Sequence, residues 1–166
     1  MSNTTPLIIA VDPGLSGGIV LGNASYTSPA SVASMPETEA DVVGALRDVK
    51  EIADASHQPE PWLAIEKLPL FVSVPGGRVS GASMAKLHRN AGLITGAALA
   101  LGIRIVEIDP HSWQKHFRLG TKKSAGGYTA WKNTLKGEAQ KRFPSIKVTH
   151  AIADALLIWE FAKTIK

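Results

Sequence analysis

The sequence predicts an α/β fold, on three observations. Short apolar runs bounded by Pro, Gly or Asp read as buried strands, and stretches with apolar residues three and four apart read as helices. The order is strands first, then helix and strand in turn. Residues 6–11 form the first strand, and the turn Pro13-Gly14-Leu15-Ser16-Gly17 leads into a second over 17–21. Residues 28–35 are expected to form a third. A helix over 37–55 follows, spaced through Val42, Val43, Leu46 and Ile52, with acids in its first turn that suit the helix dipole. Pro59 and Pro61 stop it, and 62–65 is another buried strand.

Residues 68–81 carry Pro69, Pro75, Gly76 and Gly77 and are expected to be a loop. The clearest helix covers 83–101, where Met84, Leu87, Ala91, Ile94, Ala98 and Leu101 form a packing seam. Gly92 and Gly96, one turn apart on it, would let another helix approach, either within the chain or from a second copy. A strand over 103–108 ends at Asp109-Pro110, with a short helix over 110–117. Residues 119–129 are a basic, Gly-rich loop. A helix over 130–143 has Trp131, Leu135 and Ala139 on one stripe and Lys132 and Lys136 on another. Pro144 ends it, and Thr149 is placed to cap a last helix that buries Ile152, Leu156, Trp159 and Phe161. No internal repeat or domain boundary interrupts the 166 residues, so one domain is expected.

A hydrophobic content of 45% with 19% charged residues is that of a folded globule. No apolar stretch reaches bilayer length and the N-terminus lacks a secretory pattern, so a soluble intracellular protein without membrane contact is expected. The absence of cysteine excludes disulfides, zinc–thiolate sites and a thiol nucleophile. Charge is unevenly spread. Residues 1–83 hold four Lys/Arg against nine Asp/Glu, whereas 84–166 hold fourteen against five. A basic half of this kind attracts a polyanion, although such a run also suits a merely solvated helical surface.

Four side chains stand out against this background. Asp12 and Glu66 each end an apolar strand, and His150 and Asp154 lie four residues apart at the start of the last helix, on one face. Asp12 before a Pro-Gly turn has a local explanation, since such residues often bond nearby backbone. Glu66 has none. Asp154 interrupts an apolar run, and an unpaired buried carboxylate costs roughly several kcal/mol unless a partner is found. Oxygen ligands gathered in a basic protein suit Mg²⁺ and phosphodiester chemistry. His150 would bind the metal or handle protons.

The motifs Ile-Ala-Val-Asp12-Pro-Gly-Leu-Ser-Gly-Gly, Ala-Ile-Glu66, Asp109-Pro-x-x-Trp113-x-Lys115, Phe143-Pro144 and His150-x-x-x-Asp154-Ala-Leu-Leu-Ile run in order through the chain. On them the sequence resembles the RuvC-like Holliday-junction resolvases of the ribonuclease H superfamily, closest in motif style to phage and chloroplast members. The resemblance implies a ribonuclease H-like fold, with a mixed sheet of about five strands flanked by helices. It also implies a homodimer that cuts opposed strands of a four-way DNA junction, leaving 5′ phosphates and 3′ hydroxyls. Asp12, Glu66 and Asp154 match the family's metal-binding acids, while His150 stands where another acid is usual. Two Mg²⁺ ions per site are implied, with Mn²⁺ as a substitute. Lys115 matches a basic position near the scissile phosphate. Phe71 lies where relatives present a junction-wedging aromatic, and Arg78 would hold adjacent phosphates. Lys86, Arg89, Lys122, Lys123, Lys132 and Lys136 are the expected contacts to backbone phosphates. The location implied is the cytoplasm or nucleoid of a bacterium or phage host, or an organelle or virus factory; the sequence names no partner helicase.

Three other readings compete. The Asp12-Pro-Gly-Leu-Ser start is shared with sugar kinases and actin-like ATPases, but those need two such domains around a nucleotide. A junction-binding module without nuclease activity is a second; retention of the other acids argues against it, and His150 in place of an acid keeps it open. A nuclease for other branched DNA or structured RNA is the third.

Overall fold

A computed structural model describes residues 5–71, 73–74 and 77–165, with backbone alone over 73–74 and 77–78. Strands β1 (Leu7–Asp12), β2 (Gly18–Asn23) and β3 (Ser31–Ser34) precede helix α1 (Glu39–Ala55) and strand β4 (Trp62–Glu66). Two short strands, β5 (Ser73–Val74) and β6 (Gly77–Arg78), lead to helix α2 (Gly81–Ala100) and strand β7 (Arg104–Ile108). Helices α3 (Pro110–His116), α4 (Tyr128–Arg142) and α5 (His150–Ala162) complete the chain. The main sheet has five strands in the order β3-β2-β1-β4-β7. β1 is antiparallel to β2, and β2 to β3, while β1, β4 and β7 run parallel, so the sheet is mixed.

The two-residue period of the strands divides the interior into two cores. Ile8, Ala10, Trp62, Ala64 and Ile108 face α3, α4 and α5. Leu7, Ile9, Val11, Leu63 and Ile65 face α1 and α2. The first core is the aromatic one, with Trp113, Trp131 and Trp159 fully buried. Helix α5 is apolar nearly all round, and every residue from Ile152 to Trp159 is buried, as befits a helix enclosed on several sides. It lies close against β2 because Gly18 and Gly22 face it. A Cβ on Gly18 would stand 3.0 Å from the Ala151 carbonyl oxygen, and one on Gly22 would stand 2.6 Å from the Trp159 ring.

Several expectations need correction. The segment 68–81 is not wholly loop, since β5 and β6 pair as a small hairpin and α2 already starts at Gly81. In α1 the buried stripe is Val42, Leu46, Val49 and Ala53, and Ile52 is half exposed, because a 3.6-residue period carries the stripe past it. Of the expected α2 seam only Met84, Ile94 and Ala98 are buried. Nothing among the described residues lies within 4 Å of a Cβ built on Gly92 or Gly96, so packing inside the chain does not account for them. Helix α4 begins two residues earlier than expected, at Tyr128. Thr149 occupies the N-cap position of α5 but makes no side-chain capping bond. Among the described residues no helix is long and apolar enough to cross a membrane.

The glycines facing α5 give a direct test. Gly22→Ala is expected to destabilise the protein by about 1–3 kcal/mol, because the new methyl meets a packed ring. Gly44→Ala, in open space within α1, is expected to stabilise it by about 0.4–1 kcal/mol. Urea unfolding of both variants checks the pair.

Candidate active site

Asp12 and Glu66 continue the parities of Ile8-Ala10 and Trp62-Ala64, so both face the aromatic core, at the carboxyl ends of neighbouring parallel strands. The pairing Ala10–Ala64 and Val11–Ile65 sets Asp12 and Glu66 next in register. Asp154 approaches the same strand ends from α5, 6% exposed. All three carboxylates line one open hollow of ≈ 760 Å³. Asp154 therefore does not face bulk solvent.

Each acid is held by its surroundings. Asp12 Oδ1 accepts the Gly14 backbone N–H at 3.1 Å, which folds the Pro13-Gly14 turn back on the carboxylate. Asn90 Nδ2 on α2 donates to the Pro13 carbonyl at 2.8 Å and ties that turn to the opposite layer. Gly17 is required there, since a Cβ would stand 2.8 Å from the Asp12 carboxyl carbon. Glu66 Oε1 accepts the indole N–H of buried Trp113 at 3.2 Å. Asp154 Oδ2 accepts from Lys132 Nζ at 2.6 Å. Among the described residues its other oxygen, Oδ1, is buried without a hydrogen-bond partner.

Proximity and burial reshape the protonation of the group. Burial, and then the charges of Asp12 and Asp154, push Glu66 from its ordinary 4.5 to about 8, although the Trp113 hydrogen bond and Lys132 pull the other way. Burial and the charge of Asp154 also raise Asp12, against the Gly14 hydrogen bond and Lys132. Burial alone would lower Lys132, but Asp154, through charge and hydrogen bond, outweighs it, with Asp12 adding to the rise. The three carboxylates are all oxygen donors, and a buried orphan oxygen among them is what a hard divalent cation would satisfy. Among the described residues, no three acid or imidazole side chains stand together tightly enough to hold an ion in this arrangement. The acids border a hollow rather than a point.

The remaining expected residues divide. His150, exposed at the start of α5, does not line the acid hollow. It lines a neighbouring one that shares Asp12 and Lys132, and its Nε2 lies 2.9 Å from Asn133 Oδ1 on α4. Lys115 is exposed on α3, whose wall residues in the hollow are instead Pro110, His111 and Gln114, the last two three apart on one face. Lys122 and Lys123 do line it. Lys132 lies within it, paired to Asp154, rather than on an outer stripe with Lys136. Lys86 and Arg89 sit exposed on α2, and Arg89 pairs with Glu39 of α1 at 2.7 Å. Phe71 is exposed just before the hairpin. Arg78 lies on the backbone of β6, and its side chain falls outside the described residues.

Sequence reasoning passed over Lys67, Tyr128 and the role of Trp113. Lys67 follows Glu66 directly and lines the hollow, which its position beside a candidate acid signalled. Tyr128 is exposed where the two hollows meet, with Lys122 Nζ 5.6 Å from its ring centre. No feature of the local sequence pointed to it.

The fold is of the ribonuclease H-like class, with three carboxylates from β1, β4 and α5 at the ends of its central strands. Within that class its fold is similar to that of solved RuvC structures. The structure of Thermus thermophilus RuvC in complex with a Holliday junction substrate superposes with a TM-score of 0.52 at 18% identity, over 95% of this chain and 93% of that one. A second Thermus thermophilus RuvC structure gives 0.52 at 16% identity, with the same coverage. No protein-family model and no curated protein matches the sequence.

The raised Glu66 carries a signed pH dependence. Between about pH 4.5 and pH 8 the folded protein holds a proton there that the unfolded chain does not, so the associated stability is full below that window and is lost as pH rises through it. Chemical unfolding in EDTA is expected to show stability falling from pH 5 to 8.5. Glu66→Gln is expected to flatten that slope.

Proposed function

We propose that the protein is a metal-dependent endonuclease acting on four-way DNA junctions, cutting opposed strands symmetrically to leave 5′ phosphates and 3′ hydroxyls. The observation that carries this is the convergence of Asp12, Glu66 and Asp154 on one hollow walled by Lys67, Lys122 and Lys123. Carboxylates that repel one another and a bordering row of ammonium groups make sense together if the occupant is a phosphodiester with divalent cations. The RuvC-like fold, found in a protein solved with a Holliday junction, supports the junction as substrate.

Asp12, Glu66 and Asp154 would hold Mg²⁺ or Mn²⁺, which when bound would activate a water and stabilise the leaving oxygen. The chain's own groups do the rest. Trp113 fixes the carboxylate of Glu66, and Gly14 fixes that of Asp12. Lys122 and Lys123 meet backbone phosphates and orient the strand without reading its sequence. His111 and Gln114 border the strand's path. His150, outside the acid hollow but lining the neighbouring one with Asp12, would handle protons near the reacting phosphate. Phe71, exposed just before the β5–β6 hairpin, would unstack bases at the crossover. A four-way junction has two-fold symmetry, so paired nicks call for two copies of the chain. The open face of α2 at Gly92 and Gly96 is where the second would sit.

A synthetic junction with a mobile centre tests the reading. Symmetric nicks requiring Mg²⁺ or Mn²⁺ are expected, and Asp12→Asn or Glu66→Gln should reduce the rate at least about a hundredfold with junction binding retained. Binding without metal-dependent cleavage would instead identify a junction-binding module. Lys122→Ala with Lys123→Ala should weaken binding on any sequence and lower the salt slope by about two.

A further inference from the structure

We propose that Lys132 is the resident counter-ion of the acid hollow, holding Asp154 in the cation-free protein and giving way when a divalent cation binds. This rests on the reading that these acids hold such a cation. The pair is short at 2.6 Å, and its members are unequally buried, with side-chain exposures of 26% for Lys132 and 8% for Asp154. A bridge serving only to stabilise the fold would be expected to satisfy both carboxylate oxygens. Here Asp154 Oδ1 is left buried without a hydrogen-bond partner among the described residues, which is the arrangement of a carboxylate half engaged by a substitute.

The position of Lys132 allows it to leave. Its neighbours Trp131 and Leu135 are buried and anchor that turn of α4, while its ammonium sits on a flexible four-carbon stem and borders both hollows. Asp12 and Asp154 both attract it. A single positive charge offsets only part of three carboxylates, so the hollow retains an attraction for a doubly charged ion. An ion engaging Asp154 and an ammonium 2.6 Å from the same, largely buried carboxylate repel each other. The singly charged partner yields, and the freed ammonium then has the neighbouring hollow and the DNA backbone to turn to.

Two measurements on the protein test this. In calorimetric titrations with Mn²⁺ at pH 8.5, Lys132→Met is expected to bind about tenfold more tightly than wild type, since a competing cation is gone, and Lys132→Arg, which keeps the charge, no more tightly. NMR of the lysine-labelled wild type needs no altered fold. The Lys132 ammonium, slow to exchange while paired, is expected to lose its signal as Mg²⁺ saturates the site. Unchanged or weakened Mn²⁺ affinity in a folded Lys132→Met, or an ammonium signal that persists at saturation, would overturn the proposal while leaving the metal reading intact. If neither wild type nor Lys132→Met takes up Mn²⁺, the metal reading falls and this one with it.

Discussion

Three carboxylates withdrawn from bulk water into one hollow repel each other, and the fold keeps them there by packing rather than by attraction. Asp12 and Glu66 cannot separate because they end adjacent hydrogen-bonded strands. Asp154 cannot withdraw because α5 is pressed onto β2, with Gly18 and Gly22 removing the side chains that would lift it. The cost of gathering these charges appears in the upward displacement of Asp12 and Glu66. Lys132 offsets only part of it. The remainder is borne by the apolar core beneath, where three buried tryptophans and an enclosed helix supply the opposing free energy. A site of this kind is strained toward accepting positive charge, and that strain is a property of the architecture.

Much of the architecture was legible in the chain because its elements are locally decided. Turn residues bound β1, β2 and β4, and a period of two assigns their faces. The helices were legible wherever a buried stripe dominates, as in α4. What was not legible depended on tertiary partners. Ile52 fits a helical pattern yet stays half exposed because no element covers it there. Half of the α2 seam is only partly buried for the same reason. The β5–β6 hairpin pairs two residues with two, too short for any periodicity to register.

The acids of the site were legible for a different reason. A carboxylate ending an apolar strand, or interrupting an apolar helix, contradicts its surroundings, and the contradiction is visible in one dimension. Basic residues carry no such mark, since lysines are ordinary on any surface. Lys132 and Lys136 are equivalent by spacing, each following a residue of the buried stripe, yet Lys132 is the one that lines the hollow and pairs with Asp154. Lys115 and Gln114 are neighbours, and the helical turn gives the hollow to Gln114. His150 shares a helical face with Asp154, but it stands at the exposed tip of α5 and finds Asn133.

The indole of Trp113, bonded to Glu66 and buried in the same core as Trp131, makes the site optically self-reporting. An indole's emission depends on the charge and hydrogen bonding of the carboxyl group it touches. Whatever changes the state of Glu66 will therefore alter the protein's intrinsic fluorescence, with no dye attached.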